Sequence, residues 1–201
     1  ERAFYNGMLS GLSLDGEAFF YVNPLQVKSP DLFTNRNEST FKHYKRQKFF
    51  SCSCCPPNVA RLIASIAGYM YNVDTQGRKS VFNMYGASKL NLSSGLQIEQ
   101  ETDYPWKGDV KVRVEKLPDN QKEAEIEFLF RIPDWCNSYA IEINGEDIAR
   151  DQISKTNGFV VLDRKWEKSD ELKLKLEMEP FFVRSHPKVP QNAGKVALQR
   201  G

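Results

Sequence analysis

The feature that most constrains the fold is a change of hydrophobic period near residue 75. Before it, Val59, Leu62, Ile63, Ile66, Ala67 and Met70 recur at the spacing of one helical face. This predicts a helix from Pro57 to Tyr71, stopped by the polar turn Asp74-Thr75-Gln76-Gly77. After it, apolar and polar residues alternate in Val110-Lys111-Val112-Arg113-Val114, Ile126-Glu127-Phe128-Leu129-Phe130, Ile141-Glu142-Ile143 and Leu172-Lys173-Leu174-Lys175-Leu176. Such alternation places every second side chain on one face of a half-buried strand. Turn signals at Lys107-Gly108, Pro118-Asp119-Asn120, Asn144-Gly145 and Asn157-Gly158 come too close together for βαβ units and suit an antiparallel β-sandwich.

Upstream of the helix, Tyr5 to Leu12 continues a helical pattern, and Ser13-Leu14-Asp15-Gly16 turns the chain into a short strand, Ala18 to Val22, ended by Asn23-Pro24. Ser29 to Lys48 is polar and basic and reads as a long loop. Its densest part, His43-Tyr44-Lys45-Arg46-Gln47-Lys48, is read as a solvated loop. Over the chain, 28 basic residues are balanced by 26 acidic ones, so charge gives no case for nucleic acid or an anionic membrane as partner. No apolar run approaches the length of about 18 residues that a membrane-spanning helix requires. Glu1-Arg2-Ala3-Phe4-Tyr5 resembles helix interior without an initiator Met, and Val196 to Gly201 resembles a strand awaiting a neighbour. The expectation is a piece of a longer protein, with its compartment left open.

Three of the four cysteines fall in Cys52-Ser53-Cys54-Cys55, directly before Pro56-Pro57. Four cysteines in 201 residues do not make a disulfide scaffold. Pro56 is expected to hold Cys55 extended, and Pro57 suits the first turn of the following helix. The thiols therefore gather at a helix start, where free N–H groups, the helix dipole and Arg61 favour negative charge. An extended run would point Cys52 and Cys54 one way and Cys55 the other. Buried structural thiols, a zinc knuckle and a reactive or metal-held thiolate all remain open. His43 lies near the cluster in sequence but reads as a surface residue, and His186 before Pro187 reads as structural.

Cys52-Ser53-Cys54-Cys55-Pro56-Pro57-Asn58-Val59-Ala60-Arg61 resembles a motif of glycoside hydrolase family 127, the β-L-arabinofuranosidases. The likeness extends through Leu9 to Gly16, Phe20 to Leu25, Asp103-Tyr104-Pro105-Trp106, Arg131-Ile132-Pro133-Asp134-Trp135, Ile143-Asn144-Gly145 and His186 to Gly201, nearly the whole chain. The resemblance implies a retaining exo-glycosidase acting on L-arabinofuranoside-containing glycans or a related sugar, with a cysteine nucleophile held on Zn2+. Cys54 would be nucleophile and metal ligand, Cys55 a ligand, Cys52 a support of the site, and Glu1 and Tyr21 contacts to the sugar. The remaining ligands, a Glu and a Cys, and the acid/base Glu are implied to lie upstream of Glu1, so this piece alone is expected to be inactive. The fold implied is an α+β multidomain fragment: the last helices of an (α/α)6 barrel in residues 1–76, then a β-sandwich in 77–201.

Two other function classes compete. The β-sandwich could be a carbohydrate-binding or packing module with structural thiols, using Tyr104, Trp106, Trp135 and Trp166 as stacking platforms, although aromatics at strand ends more often fill cores. A thiol redox protein is disfavoured, because the adjacent Cys54-Cys55 pair is not C-x-x-C and no thioredoxin-like βαβ pattern surrounds it.

Overall fold

The computed structural model describes residues 1–21, 46–50, 52, 54–149, 151 and 153–201. Most of the expected basic loop, His43 and the end of the strand expected at Ala18 to Val22 lie outside these residues. The chain forms two compact units, Glu1–Gly68 and Tyr69–Gly201. It is mostly β-sheet with few helices.

In the first unit the opening helical pattern is realised as a π-helical turn, Ala3–Met8, followed by a 3-10 turn, Leu9–Gly11. The expected turn is present. Gly16 takes φ +73° and donates its N–H to the Ser13 carbonyl, while the Ser13 hydroxyl accepts from the Ala18 N–H at 2.9 Å. The strand expected from Ala18 is reduced to isolated bridges, in which Phe19 pairs with both Leu12 and Gln47. Among the described residues each neighbour contributes a single bridge and no ladder forms, and aromatic packing helps hold the segment: the Phe50 ring lies 5.0 Å from Phe19 and 5.5 Å from Tyr21.

Helix α1 spans Cys55–Ser65, with Pro56 and Pro57 in its first turn, where a missing N–H leaves no hydrogen bond unmade. A turn at Ile66 separates it from a short second helix, α2, Ala67–Met70. The expected helix therefore ends one residue early. Tyr71 opens a strand, because its pairing with Phe82 outweighs one more residue of helix. Val59, Leu62, Ile66 and Met70 are half-buried, whereas Ile63 and Ala67 on the same expected stripe are exposed.

The second unit holds two main sheets. The strands are β1 (Tyr71–Val73), β2 (Lys79–Phe82), β3 (Ser88–Asn91), β4 (Gln97–Thr102), β5 (Asp109–Lys116), β6 (Glu123–Arg131), β7 (Tyr139–Ile143), β8 (Glu146–Asp147), β9 (Ser154–Thr156), β10 (Phe159–Glu167) and β11 (Glu171–Leu176). One sheet has the order β1-β2-β6-β10-β9, the other β3-β4-β5-β11-β7-β8. A separate ribbon pairs β12 (Phe181–Val183) with β13 (Ala197–Gln199).

Alternation becomes burial as expected: Val110, Val112 and Val114 on β5 and Leu172, Leu174 and Leu176 on β11 are each 2% exposed or less. Asn144-Gly145 and Asn157-Gly158 take positive φ at both positions, the geometry that closes a two-residue hairpin with the twist of its strands. One expectation fails. The first sheet is not purely antiparallel, since β2 runs parallel to β6, with Ser80 opposite Phe128 and Phe82 opposite Phe130. Parallel neighbours need a long crossover, and the chain supplies one by building β3, β4 and β5 of the other sheet in between.

The core of the first sheet is aromatic. Phe82 stacks on Phe130 at 4.4 Å, and Trp166 lies 4.7 Å from Phe128 while its indole N–H donates to the Ile126 carbonyl at 3.0 Å. Trp166 and Tyr104 are buried, so neither can serve as a sugar platform; Trp135 is half-buried and Trp106 is exposed. Tyr71 on β1 joins the two sheets at one edge, its hydroxyl meeting Ser88 at 2.7 Å and accepting from the Gln100 amide at 2.9 Å. Gly108 permits a backbone approach that a Cβ would block, for that atom would fall 1.9 Å from the Leu176 carbonyl oxygen.

Candidate active site

The thiol cluster is built from the start of α1 and the segment around Phe19. Cys54 precedes the helix with helical backbone angles (φ −70°, ψ −33°), and Cys55 is its first residue. Cys55 is therefore not held extended and does not point away from Cys54. Their sulfurs lie 3.5 Å apart. The preference of a pre-proline residue for extended backbone is overridden by two local anchors. The Cys55 thiol donates to the Tyr21 carbonyl at 3.7 Å, and the Asn58 side-chain amide donates to the Cys54 carbonyl at 2.7 Å.

Tyr21 is brought to the thiols by its neighbours: Phe19 is bridged to Gln47, and Phe50 packs against both aromatic rings. The Cys54 thiol, and to a lesser degree the Cys52 thiol, push the pKa of its hydroxyl above the ordinary tyrosine value by hydrogen bonding and charge. The phenol thus keeps its proton to donate toward sulfur. Cys52 and Cys54 are exposed and Cys55 is half-buried.

Of the residues singled out from sequence, the structure brings together Cys52, Cys54, Cys55 and Tyr21. Glu1 is half-buried at the entry to the first helical turn, its carbonyl accepting from the Tyr5 N–H at 2.9 Å. Arg61 contributes indirectly, since its guanidinium donates to the Asn58 side-chain oxygen at 3.1 Å and Asn58 in turn grips Cys54. Sequence reasoning passed over Asn58. Its place four residues after Cys54, one helical turn on, was the available signal.

Beside Cys55 and Tyr21 is a cleft of about 160 Å³, walled by Leu12, Phe19, Phe20 and Val59. A larger cavity, about 630 Å³, lies in the second unit among polar and charged residues such as Arg78, Asp119 and Lys165. Size is a poor guide here, because that cavity holds no thiol, histidine or aromatic hydroxyl. The smaller cleft adjoins the chemistry. Among the described residues, no three His, Cys, Asp or Glu side chains converge on one metal position.

Cys136 is a different kind of thiol. Half-buried, it donates to the Ser138 carbonyl at 3.0 Å, and burial raises its pKa above the usual cysteine value. Raising the pKa reduces its thiolate fraction at neutral pH, so iodoacetamide at pH 7 is expected to label Cys52 and Cys54 first and Cys136 last. A peptide-mass time course checks this, with Cys136 catching up as the pH is raised; equal rates at pH 7 would contradict the assignment.

Comparison with known proteins places this chain in a family. Residues 1–68 match the catalytic-domain model of β-L-arabinofuranosidase family GH127, and residues 80–178 match the GH127 middle domain. A non-reducing end β-L-arabinofuranosidase of Bifidobacterium longum subsp. longum is 35% identical over all of this chain, which spans 30% of that relative. The crystal structure of a GH127 β-L-arabinofuranosidase from Geobacillus stearothermophilus T6 superposes with a TM-score of 0.82 at 41% identity, over 100% of this chain and 31% of that one. A second GH127 β-arabinofuranosidase structure gives a TM-score of 0.80 at 31% identity, again over 100% of this chain and 31% of the other. The chain thus spans about a third of the length of these relatives. It belongs to glycoside hydrolase family 127, with segments of both the catalytic and the middle domain.

Proposed function

We propose that this chain supplies the thiol side of the active site of a retaining glycosidase acting on β-L-arabinofuranosides. The observation that carries the reading is the gathering of Cys54, Cys55 and the Tyr21 hydroxyl at the start of α1, beside a small cleft. Cys54 is the nucleophile: its sulfur attacks the anomeric carbon as the glycosidic oxygen leaves with a proton, and water then cleaves the Cys54 glycosyl thioether. Two displacements at one carbon return the original configuration. Tyr21 steadies the sulfur by hydrogen bonding and faces the sugar, while Asn58 fixes the Cys54 backbone. Cys52 supports the site through the Tyr21 hydroxyl, and Glu1 is a further sugar contact.

Zinc fits the pair. Two thiolates each about 2.3 Å from a tetrahedral metal lie about 3.8 Å apart, and the Cys54 and Cys55 sulfurs are separated by 3.5 Å. Bound there, the ion would hold both sulfurs as thiolates at neutral pH. Cys54 and Cys55 are the ligands this chain offers, and the resemblance assigns the other two, with the acid/base Glu, to residues before Glu1. For the fold, the helical turns and α1 support reading the first unit as part of an (α/α)6 barrel. The two sheets, each with one buried face, support reading the second as a β-sandwich.

The test is the stereochemistry of hydrolysis by a full-length family polypeptide carrying this segment. Proton NMR of an aryl β-L-arabinofuranoside digest is expected to show the β-anomer of arabinose first; first release of the α-anomer would overturn the reading. The 201-residue chain by itself is expected to show no turnover, because positioned acid/base catalysis typically contributes about 10²–10⁴-fold.

A further inference from the structure

Three thiols within four positions are more than the proposed displacement uses. The question is which of them can bond to which. The Cys54 and Cys55 sulfurs lie 3.5 Å apart. Their Cα atoms, however, flank a trans peptide and are held about 3.8 Å apart, below the roughly 4.4 Å lower limit of ordinary disulfides. The Cys55 thiol is also half-buried and directed to the Tyr21 carbonyl. Cys52 is two residues from Cys54, a span of at most about 7 Å between Cα atoms, which covers the usual disulfide window of about 4.4–6.8 Å. Both residues are exposed, and both thiols lie near enough to the one Tyr21 hydroxyl to raise its pKa.

We propose that Cys52 is a resolving thiol that captures oxidised Cys54 as a Cys52–Cys54 disulfide, giving the site a reversible off-state under hydroperoxide stress. In the first step the Cys54 thiol attacks the O–O bond of a hydroperoxide. Sulfur loses two electrons, Cys54 becomes a sulfenic acid, and the hydroperoxide leaves as the alcohol, or as water from hydrogen peroxide. In the second step the Cys52 sulfur attacks the Cys54 sulfur, the S–O bond breaks, and water departs with the Cys52 proton. A thiol reductant returns both residues to thiols. Without a resolving neighbour the sulfenic acid would proceed to sulfinic acid, which thiols do not reverse. That the disulfide silences the enzyme rests on the reading of Cys54 as nucleophile; that the disulfide forms does not.

The experiment treats the 201-residue chain with equimolar hydrogen peroxide, blocks remaining thiols with iodoacetamide, and maps the peptide from Phe49 to Arg61 by mass spectrometry. The expected result is a Cys52–Cys54 disulfide with Cys55 and Cys136 alkylated, so that free thiols fall from four to two and return to four with dithiothreitol. In Cys52→Ser, an excess of peroxide over the two equivalents that two oxidations of one sulfur consume should give Cys54 sulfinic acid that dithiothreitol does not recover. Pairing of Cys54 with Cys55, or full thiol recovery in Cys52→Ser, would overturn the proposal. In a full-length family polypeptide, peroxide should remove turnover and dithiothreitol restore it, with restoration lost in Cys52→Ser. If Cys54→Ser retained turnover, the nucleophile reading would fail while the mapped disulfide still decided the resolving role.

Discussion

Replacing Cys54 by serine in a full-length family polypeptide is expected to lower turnover of an aryl β-L-arabinofuranoside by about 10⁴-fold or more, the scale on which removing a covalent nucleophile acts. Serine keeps the size of the side chain and its hydrogen bond to Tyr21, so folding and sugar binding should be little changed. It loses the polarizable sulfur. A hydroxyl needs a neighbouring general base to attack carbon, and among the described residues the side chains found around Cys54 are the Tyr21 phenol, held protonated by the thiols, the Asn58 amide and two further sulfurs. The companion change Cys55→Ser should leave the attacking atom in place, so its deficit should be the smaller of the two when rates are compared at saturating zinc. A Cys54→Ser enzyme within tenfold of wild type would remove Cys54 from the displacement.

Replacing Trp166 by alanine should cost the β unit about 3–5 kcal/mol, the range for truncating a buried tryptophan. The side chain is 1% exposed, stacks near Phe128, and supplies the indole N–H that satisfies the Ile126 carbonyl on the neighbouring strand. The substitution would open a cavity between β6 and β10 and leave a buried carbonyl without its donor. Trp106→Ala provides the contrast: at 79% exposure it should change stability by no more than about 0.5 kcal/mol. Urea unfolding of the 201-residue chain, followed by circular dichroism, measures both. A Trp166→Ala loss below about 1 kcal/mol would show that the aromatic cluster does not hold the two strands together.

What could be read from sequence was what depends on local periodicity. Val110 to Val114 and Leu172 to Leu176 alternate strictly, and both bury their apolar residues. The two Asn-Gly pairs specify hairpins because few other residues accept positive φ at both positions. β10 was not anticipated, since Asp163-Arg164-Lys165 interrupts its apolar pattern before Trp166 and the strand is fixed by pairing with β6 over nine residues. The parallel β2–β6 pair is equally silent in sequence, because which strands become neighbours depends on contacts distant along the chain.

At the site, the thiol cluster and its place at a helix start were legible from Cys52 to Pro57. The orientation of Cys55 was not. A one-residue rule about prolines predicted divergence, whereas tertiary hydrogen bonds from Tyr21 and Asn58 bring the sulfurs together. Tyr21 entered through family resemblance alone, as its approach to the thiols depends on the Phe19–Gln47 bridge and on Phe50.

The most direct test of the central claim is to trap the covalent intermediate. A full-length family polypeptide carrying this segment would be mixed rapidly with an activated β-L-arabinofuranoside, quenched in acid, digested, and mapped by tandem mass spectrometry. The account predicts a pentosyl group, about 132 Da, on the Cys54 sulfur, absent from Cys54→Ser and chased away by longer incubation before quenching. A pentosyl group on a carboxylate side chain, or one that forms equally in Cys54→Ser, would contradict it.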